Sequence, residues 1–432
     1  MGPTSTALLT DHYELTMLQA ALASGTAERH SVFELFGRRL PDGRRYGVVA
    51  GVGRALDAVE AFRFDDEAVA ALEGVVDDAT LEWLAGYRFT GDIWGYAEGE
   101  VYFAHSPLLI VEASFAEAVV LETVLLSIYN HDSAIASAAS RMTLAAGDRP
   151  CIEMGSRRTH EEAAVAAARA AYVAGFASTS NLAARQRYGV PTTGTSAHSF
   201  TLLHDTEEDA FRAQVTSLGV GTTLLVDTYD VAEAVRTAVE VAGPELGAVR
   251  LDSGDLGALA VEVRAQLDGL GAHGTRIVVT SDLDEHAIRA LASAPVDGYG
   301  VGTQLVTGSG HPTSGFVYKL VAREDDTGAL RSVAKKSVDK ISVGGRKYAL
   351  RRRGAQGVAE AEVVGIGRPS QDDGDDRELL VPLVRGGEVV GREPLEAARE
   401  RHYASRAELP LAAQQMSRGE PVIPTVFEGE TP

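Results

Sequence analysis

Pro191-Thr-Thr-Gly-Thr-Ser-Ala-His198-Ser-Phe200 sets a histidine just past a short strand, in a turn built from Gly194 and small hydroxyl residues. One histidine in one loop decides little, but the arrangement recurs through the middle third of the chain. Short apolar strands are expected near 151–154, 176–180, 190–193, 222–226, 247–251, 276–280 and 297–301. Polar clusters sit at their ends: Asn181, Asp227 with Asp230, Arg250 with Asp252 and Asp255, Ser281 with Asp282, and Gly302 with Thr303. Helical periodicity separates most of them, over 160–174, 205–217, 230–242, 255–269 and 284–293. Alternation at this spacing implies parallel strands joined by right-handed crossovers. Seven strands approach the eight that close a barrel, and strand ends that all carry chemistry are the pattern of an α/β-barrel active site. An open doubly wound sheet is the competing topology, but no G-x-G-x-x-G opens a helix after an early strand.

Outside that region the pattern changes. Residues 1–20 read as a helix with Thr10-Asp11 at its N-cap, whereas Ser31–Phe36 and Gly91–Phe103 alternate like strands. From Glu112 to Gly147 the chain is Ala-rich and helical, with a break expected near Asn130-His131. Beyond about residue 320 come a basic run, Lys335–Arg353, an acidic loop, Gln371–Asp376, and several short strands. The expected fold class is α/β, an irregular α/β barrel with a second, β-rich domain built from both termini. The expected division is 1–118 (N-terminal α+β part), 119–324 (barrel) and 325–432 (the C-terminal return to the composite domain).

Composition narrows the function. A net charge of −21 over 432 residues disfavours a nucleic-acid surface, while leaving room for a local basic pocket that takes one small anion. Cys151 is the sole cysteine, so an internal disulfide and a cysteine-based zinc site are excluded and a reducing compartment fits. Asp11, His12 and Glu14 interrupt any signal-peptide core, and no apolar run approaches the ~20 residues that span a bilayer. The expectation is a cytoplasmic protein without a membrane or nucleic-acid partner.

Each candidate residue has a bland reading beside the chemical one. His198 can act as a nucleophile that holds a phosphoryl group, or be a hydrogen-bonded loop histidine. On the strand before Asp252, Arg250 points to the same side as that carboxylate. Its fixed donors match a carboxylate or phosphate, although a mutual Arg–Asp pair explains it too, with Asp255 serving only as a helix cap. Gly300 and Gly302 let backbone approach an anion before Thr303, in the loop position where barrels often bind phosphate. Arg157 and Arg158, after Met154-Gly155-Ser156, suit a pyrophosphate clamp or a solvated turn. Asp227 and Asp230 suit sugar hydroxyls or Mg²⁺, with Asp230 alternatively a cap. The basic run reads as a solvated face or an anion entrance. Together these residues describe chemistry on a phosphorylated sugar with a second anionic substrate, and they do not name it.

Seven strings carry a resemblance: TDHYELTM at 10–17, MGSRR at 154–158, GTSAHSF at 194–200, LVDTYD at 225–230, VRLDSGDL at 249–256, GVGTQLVT at 300–307 and GFVYKLV at 315–321. In this order and spacing the chain resembles the nicotinate phosphoribosyltransferase family. The resemblance implies a type II phosphoribosyltransferase fold and the joining of nicotinate to 5-phosphoribosyl 1-pyrophosphate, giving nicotinate mononucleotide and pyrophosphate for NAD salvage. It implies ATP as co-substrate, a phosphohistidine at His198, Asp252 as a second catalytic residue, and a requirement for Mg²⁺ whose ligands it does not assign. Tyr13, Thr195, Arg250 and Met154 match nicotinate contacts, with Arg250 on the carboxylate. Thr303, Gly302, Arg157 and Asp227 match the phosphoribosyl pyrophosphate side. Tyr13 in that family comes from the other subunit, which implies a homodimer with the site at its interface. Met154 is a departure, because the family commonly places an aromatic residue there; a thioether still packs on a ring face. Nicotinamide and quinolinate enzymes, or a barrel that only binds nucleotides, are the alternatives.

Overall fold

The computed structural model describes residues 5–335 and 342–429. Residues 336–341 of the basic run lie outside them. The chain divides into two compact units, Ala138–Pro312 and a second assembled from Met1–Ser137 and Thr313–Pro432.

The central unit holds six parallel strands: β1 (Cys151–Glu153), β2 (Ser178–Thr179), β3 (Thr223–Leu225), β4 (Ala248–Leu251), β5 (Arg276–Ser281) and β6 (Gly298–Val301). Their order is β2-β1-β6-β5-β4-β3. The last strand pairs with the first, Tyr299 opposite Cys151 and Val301 opposite Glu153. That pairing makes the order cyclic and excludes the doubly wound alternative, in which the sheet keeps two distant edges. The cycle opens between β2 and β3. There the strand expected at 190–193 is reduced to one bridge, Thr179 with Thr192. The result is a curled, irregular α/β barrel.

Parallel strands covered on both faces read as continuous apolar runs. Accordingly Leu224, Leu225, Val249, Leu251, Ile277, Val279, Tyr299 and Val301 are all buried. The crossover helices bury one stripe each; Val231–Ala242 does so through Ala234, Val235, Ala238, Val239 and Ala242. Side-chain caps start these helices directly after the strands. Asp230 accepts from Glu233 N–H at 2.9 Å and Asp255 from Ala258 N–H at 3.1 Å, so for both residues the capping reading holds. Such a cap is worth about 1 kcal/mol.

The second unit joins both ends of the chain in one sheet. His30–Gly37 pairs antiparallel with Phe316–Glu324, and Asp92–Tyr96 pairs with Leu380–Arg385. For this reason Phe316–Glu324 belongs here, and the units divide at 137/138 and 312/313 rather than at 118/119 and 324/325. A second sheet holds Arg377–Glu378, Lys347–Arg353, Ala359–Ile366 and Thr425–Glu428. Two of the basic run's residues are not a solvated face. Lys347 and Arg351 are buried, paired with Glu34 at 2.6 Å and Glu362 at 2.9 Å. The attraction in such buried pairs need not repay their desolvation, but removing one partner alone is strongly destabilising because it strands a buried charge.

The break expected near Asn130-His131 is absent: one helix runs Glu122–Ala146. Asn130 instead accepts from Phe316 N–H at 2.8 Å, and its neighbours Tyr129, Ala134 and Ile135 are buried. Packing of that face outweighs the few tenths of a kcal/mol, roughly, that Asn and His cost a helix. The first long helix starts at His12, with Asp11 at the N-cap position making no side-chain cap. Among the described residues no helix is long and apolar enough to cross a membrane.

Candidate active site

A cavity of about 600 Å³ opens where the barrel strands end, lined by the turns that follow β1 and β2, by β4, β5 and β6 with the residues after them, and by the 193–199 segment. Three guanidinium groups (Arg157, Arg158 and Arg250) face it together with Asp252 and Asp282. Met154, Thr195, His198, Gly302 and Thr303 line it as well. Tyr13 belongs to the other unit, is 46% exposed, and is not part of this lining.

Arg250 sits on β4 with only 8% of its surface exposed. Its Nη1 donates to Thr195 Oγ1 and, at 3.2 Å, to the Ser196 carbonyl. Nη2 lies 3.7 Å from Asp252 Oδ2, too far for a good hydrogen bond, and the buried Nε has no partner. Nη1 therefore secures the 195–196 loop, while Nη2 makes no close hydrogen bond and the residue lines the cavity. Burial lowers the pKa of the group; Asp252 and Asp227 oppose that and Arg157 adds to it.

His198 opens a five-residue helix, His198–Leu202, rather than lying in a plain turn. Its Nδ1 is hydrogen-bonded to Thr228 Oγ1 at 3.1 Å. Its Nε2 is 4.0 Å from Asp227 Oδ1 and 3.9 Å from Asp252 Oδ2, with the side chain 40% exposed. The ring is thus oriented from one nitrogen, flanked by two carboxylates at the other, and open to the cavity.

Asp227 does not line the cavity; it lies behind Asp252. Its side chain is 3% exposed, and its Oδ2 accepts from Asp252 N–H at 2.9 Å and Ser253 O–H at 2.7 Å. Its Oδ1, on the side of His198, is buried without a partner. The other oxygen of Asp252, Oδ1, accepts from Thr280.

Gly300 needs to be glycine. A Cβ there would stand 2.4 Å from Thr280 Cγ2 and 2.8 Å from Met154 Sδ, so the thioether packs directly on the β6 backbone as one wall of the cavity. Three residues that sequence reading passed over hold this geometry: Thr228, Thr280 and Glu153. Glu153 is fully buried, accepts from Gly155 N–H and Thr179 O–H, and has its pKa raised by burial. It fixes the turn that carries Met154 and Arg157. A carboxylate inside the otherwise apolar strand Cys151–Glu153 was the available signal. Asn181 caps its helix through Ala184 N–H at 2.9 Å and donates to Ser156 Oγ at 3.0 Å, which makes it a support of the same turn.

Cationic donors placed for more than one anion, and carboxylates grouped around an exposed imidazole, converge on one barrel mouth. That combination defines a group-transfer enzyme of the α/β-barrel class working on phosphorylated, anionic substrates. The sequence comparisons make the assignment specific. The nicotinate phosphoribosyltransferase N-terminal domain model matches residues 8–130 and the nicotinate phosphoribosyltransferase family model matches residues 150–353. The chain is 58% identical over 427 residues to nicotinate phosphoribosyltransferase pncB1 of Mycobacterium tuberculosis, covering 97% of this chain and 94% of that one. It is 38% identical over 361 residues to the nicotinate phosphoribosyltransferase of Bacillus subtilis, covering 80% and 73%. The crystal structure of human nicotinic acid phosphoribosyltransferase superposes with a TM-score of 0.83 at 25% identity, over 97% of each chain. The chain belongs to the nicotinate phosphoribosyltransferase family.

Proposed function

We infer that this protein transfers the phosphoribosyl group of 5-phosphoribosyl 1-pyrophosphate to nicotinate, in the salvage route to NAD. The observation that carries the choice of base is Arg250. A guanidinium that lines the cavity, with its Nη2 3.7 Å from Asp252 and in no close hydrogen bond, suits a carboxylate. Nicotinamide has no carboxylate to offer it.

In this reading Arg250 and Thr195 hold the nicotinate carboxylate, Met154 packs on the ring face, and the ring nitrogen is aimed at ribose C1. The C1–O bond to pyrophosphate breaks, the N–C1 bond forms, and positive charge builds on the ribose between the two events. Arg157 and Arg158 neutralise the departing pyrophosphate, and the Gly302–Thr303 backbone supplies N–H donors to the phosphates. Asp252, fixed by Thr280 and the Asp227 side chain, faces the developing ribosyl cation.

ATP enters through His198. A ring nitrogen attacks the γ-phosphorus, ADP departs, and later hydrolysis of the phosphohistidine releases phosphate and resets the site. Mg²⁺ fits the residues present. Asp252 and Asp282, which line the cavity, are hard oxygen donors that would hold it, although the one cluster of three carboxylates in ligand range among the described residues is Asp372, Asp373 and Asp376 in the other unit. Two carboxylates plus substrate phosphates are the usual holders of this ion, which when bound neutralises pyrophosphate charge. Tyr13 joins the base site from a second subunit in a homodimer, and a sole cysteine, buried, suits the reducing cytoplasm.

The test is pyrophosphate release with phosphoribosyl pyrophosphate and Mg²⁺, with nicotinate, nicotinamide and quinolinate in parallel, each with and without ATP. Nicotinate-dependent release that ATP stimulates is expected. No release with any base would leave a binding barrel. ATP stimulation that survives His198→Gln would end the phosphohistidine step. For the shared site, mixing Tyr13→Ala with Arg250→Ala subunits should restore activity that neither has alone.

A further inference from the structure

The β-rich unit has a cavity of its own, about 350 Å³, between the strand Asp92–Tyr96 and the face of Lys347–Arg353. Trp94, Tyr348, Leu350 and Leu380 give it aromatic and aliphatic walls. Tyr348 and Leu350 share a face because strand side chains alternate.

Its charge is opposite in sense to the arginine-lined barrel mouth. Three carboxylates, Asp372, Asp376 and Glu378, line it with one guanidinium, Arg346; Arg352 pairs with Asp376 from behind, and Arg385 stacks 4.1 Å from the Trp94 ring centre. Arg346 is already committed: Nε binds Glu112 at 3.1 Å, and the guanidinium stacks 4.1 Å from the Tyr348 ring centre. Two of the lining residues each carry a buried oxygen without a partner, Asp376 Oδ1 and Ser370 Oγ. The Asp376 side chain is 1% exposed, with only its Oδ2 occupied, by Arg352 at 3.4 Å. Buried acceptors left empty cost the fold desolvation energy that a ligand N–H recovers.

We propose that this cavity is a second small-molecule site, for a neutral or cationic planar heteroaromatic with an exocyclic amino group, of nucleoside size. Aromatic walls take the ring, Asp376 and Ser370 take the amino group, and the acidic lining repels phosphorylated forms. The site thereby differs in chemistry from one for nicotinate, phosphoribosyl pyrophosphate or ATP, all anions. It stands whether or not the transferase reading does.

The chain has two tryptophans, so Trp83→Phe full-length protein leaves Trp94 as the only one. Adenosine and cytidine should quench its fluorescence saturably with Kd below about 1 mM. Inosine and uridine, with carbonyls in place of the amino group, and AMP should bind at least about tenfold more weakly. Asp376→Asn should weaken adenosine about tenfold or more, and Ser370→Ala about threefold to tenfold. Ser370→Ala removes an oxygen that bonds nothing among the described residues, so it tests the site without endangering the fold. Arg250→Lys, at the barrel, should leave the titration unchanged. No saturable quenching by either amino nucleoside, AMP binding as tightly as adenosine, or affinity untouched by both cavity variants would overturn the proposal.

Discussion

Replacing Arg250 by lysine isolates what the guanidinium contributes beyond charge. Arginine here does two things at once: Nη1 secures the Thr195 side chain and the Ser196 carbonyl, and the guanidinium lines a cavity proposed to take a carboxylate. Lysine keeps the positive charge but offers one compact donor group, which cannot serve both directions. A hydrogen bond to a charged group is worth about 1.5–3 kcal/mol net. If lysine replaces one of the two carboxylate bonds, nicotinate binding should fall by about 10- to 150-fold. The assay is steady-state pyrophosphate release over a nicotinate series, with nicotinate and nicotinamide binding measured by calorimetry and unfolding followed by heat. The expected outcome is a raised nicotinate KM, a largely unchanged KM for phosphoribosyl pyrophosphate, and nicotinamide binding that does not change. A loss under about threefold would refute the carboxylate role. So would equal losses for nicotinate and phosphoribosyl pyrophosphate, because the guanidinium would then be supporting the 193–199 loop alone.

Further expectations follow from the same geometry. Gly300→Ala puts a methyl group against Thr280, whose branched side chain cannot yield, and against the Met154 sulfur. Denaturant unfolding should show about 1–3 kcal/mol of lost stability, accompanied by a raised nicotinate KM as the Met154 wall shifts. Asp227→Asn keeps an acceptor for Asp252 N–H while removing a buried charge beside His198. Heat unfolding should therefore change little while ATP stimulation of turnover falls; a change in unfolding alone would make Asp227 purely structural. In the other unit, burial raises the Glu14 carboxyl to about 7, against opposing hydrogen bonds from Thr10 and Thr123. The folded state then binds more protons than the unfolded state between roughly pH 4.3 and 7, so this residue subtracts stability as pH rises through that window. Glu14→Gln should gain on the wild type in melting temperature from pH 5 to pH 8, and a constant gap would show that Glu14 ionises freely.

Much of the barrel was legible because its physics is local. Parallel strands buried on both faces are apolar throughout, and each must be followed by a helix that starts with a cap, so strand, polar cluster and helix recur at readable intervals. The strand at 190–193 was over-read: its sequence suits a strand, but it finds a partner at Thr192 alone. Asp230 and Asp255 could not be separated from site residues by sequence, since a capping aspartate and a ligand-binding aspartate occupy the same place at a strand end. Only the N–H groups they accept from distinguish them.

By itself, then, the sequence determined which strand ends carry polar clusters, that the termini build a separate β-rich unit, and which family's motifs the chain bears. Tertiary structure alone decided that β6 closes on β1, that Lys347 and Arg351 are buried ion-pair partners, and that His198 stands between Asp227 and Asp252. It also decided the supports: Thr280 beneath Asp252, Thr228 beside His198, and Glu153 under the Met154 turn. The reason is distance along the chain. Periodicity and capping act within a few residues and leave a signature there. A hydrogen bond from Thr280 to Asp252 joins residues 28 apart, and nothing local in either one announces the other.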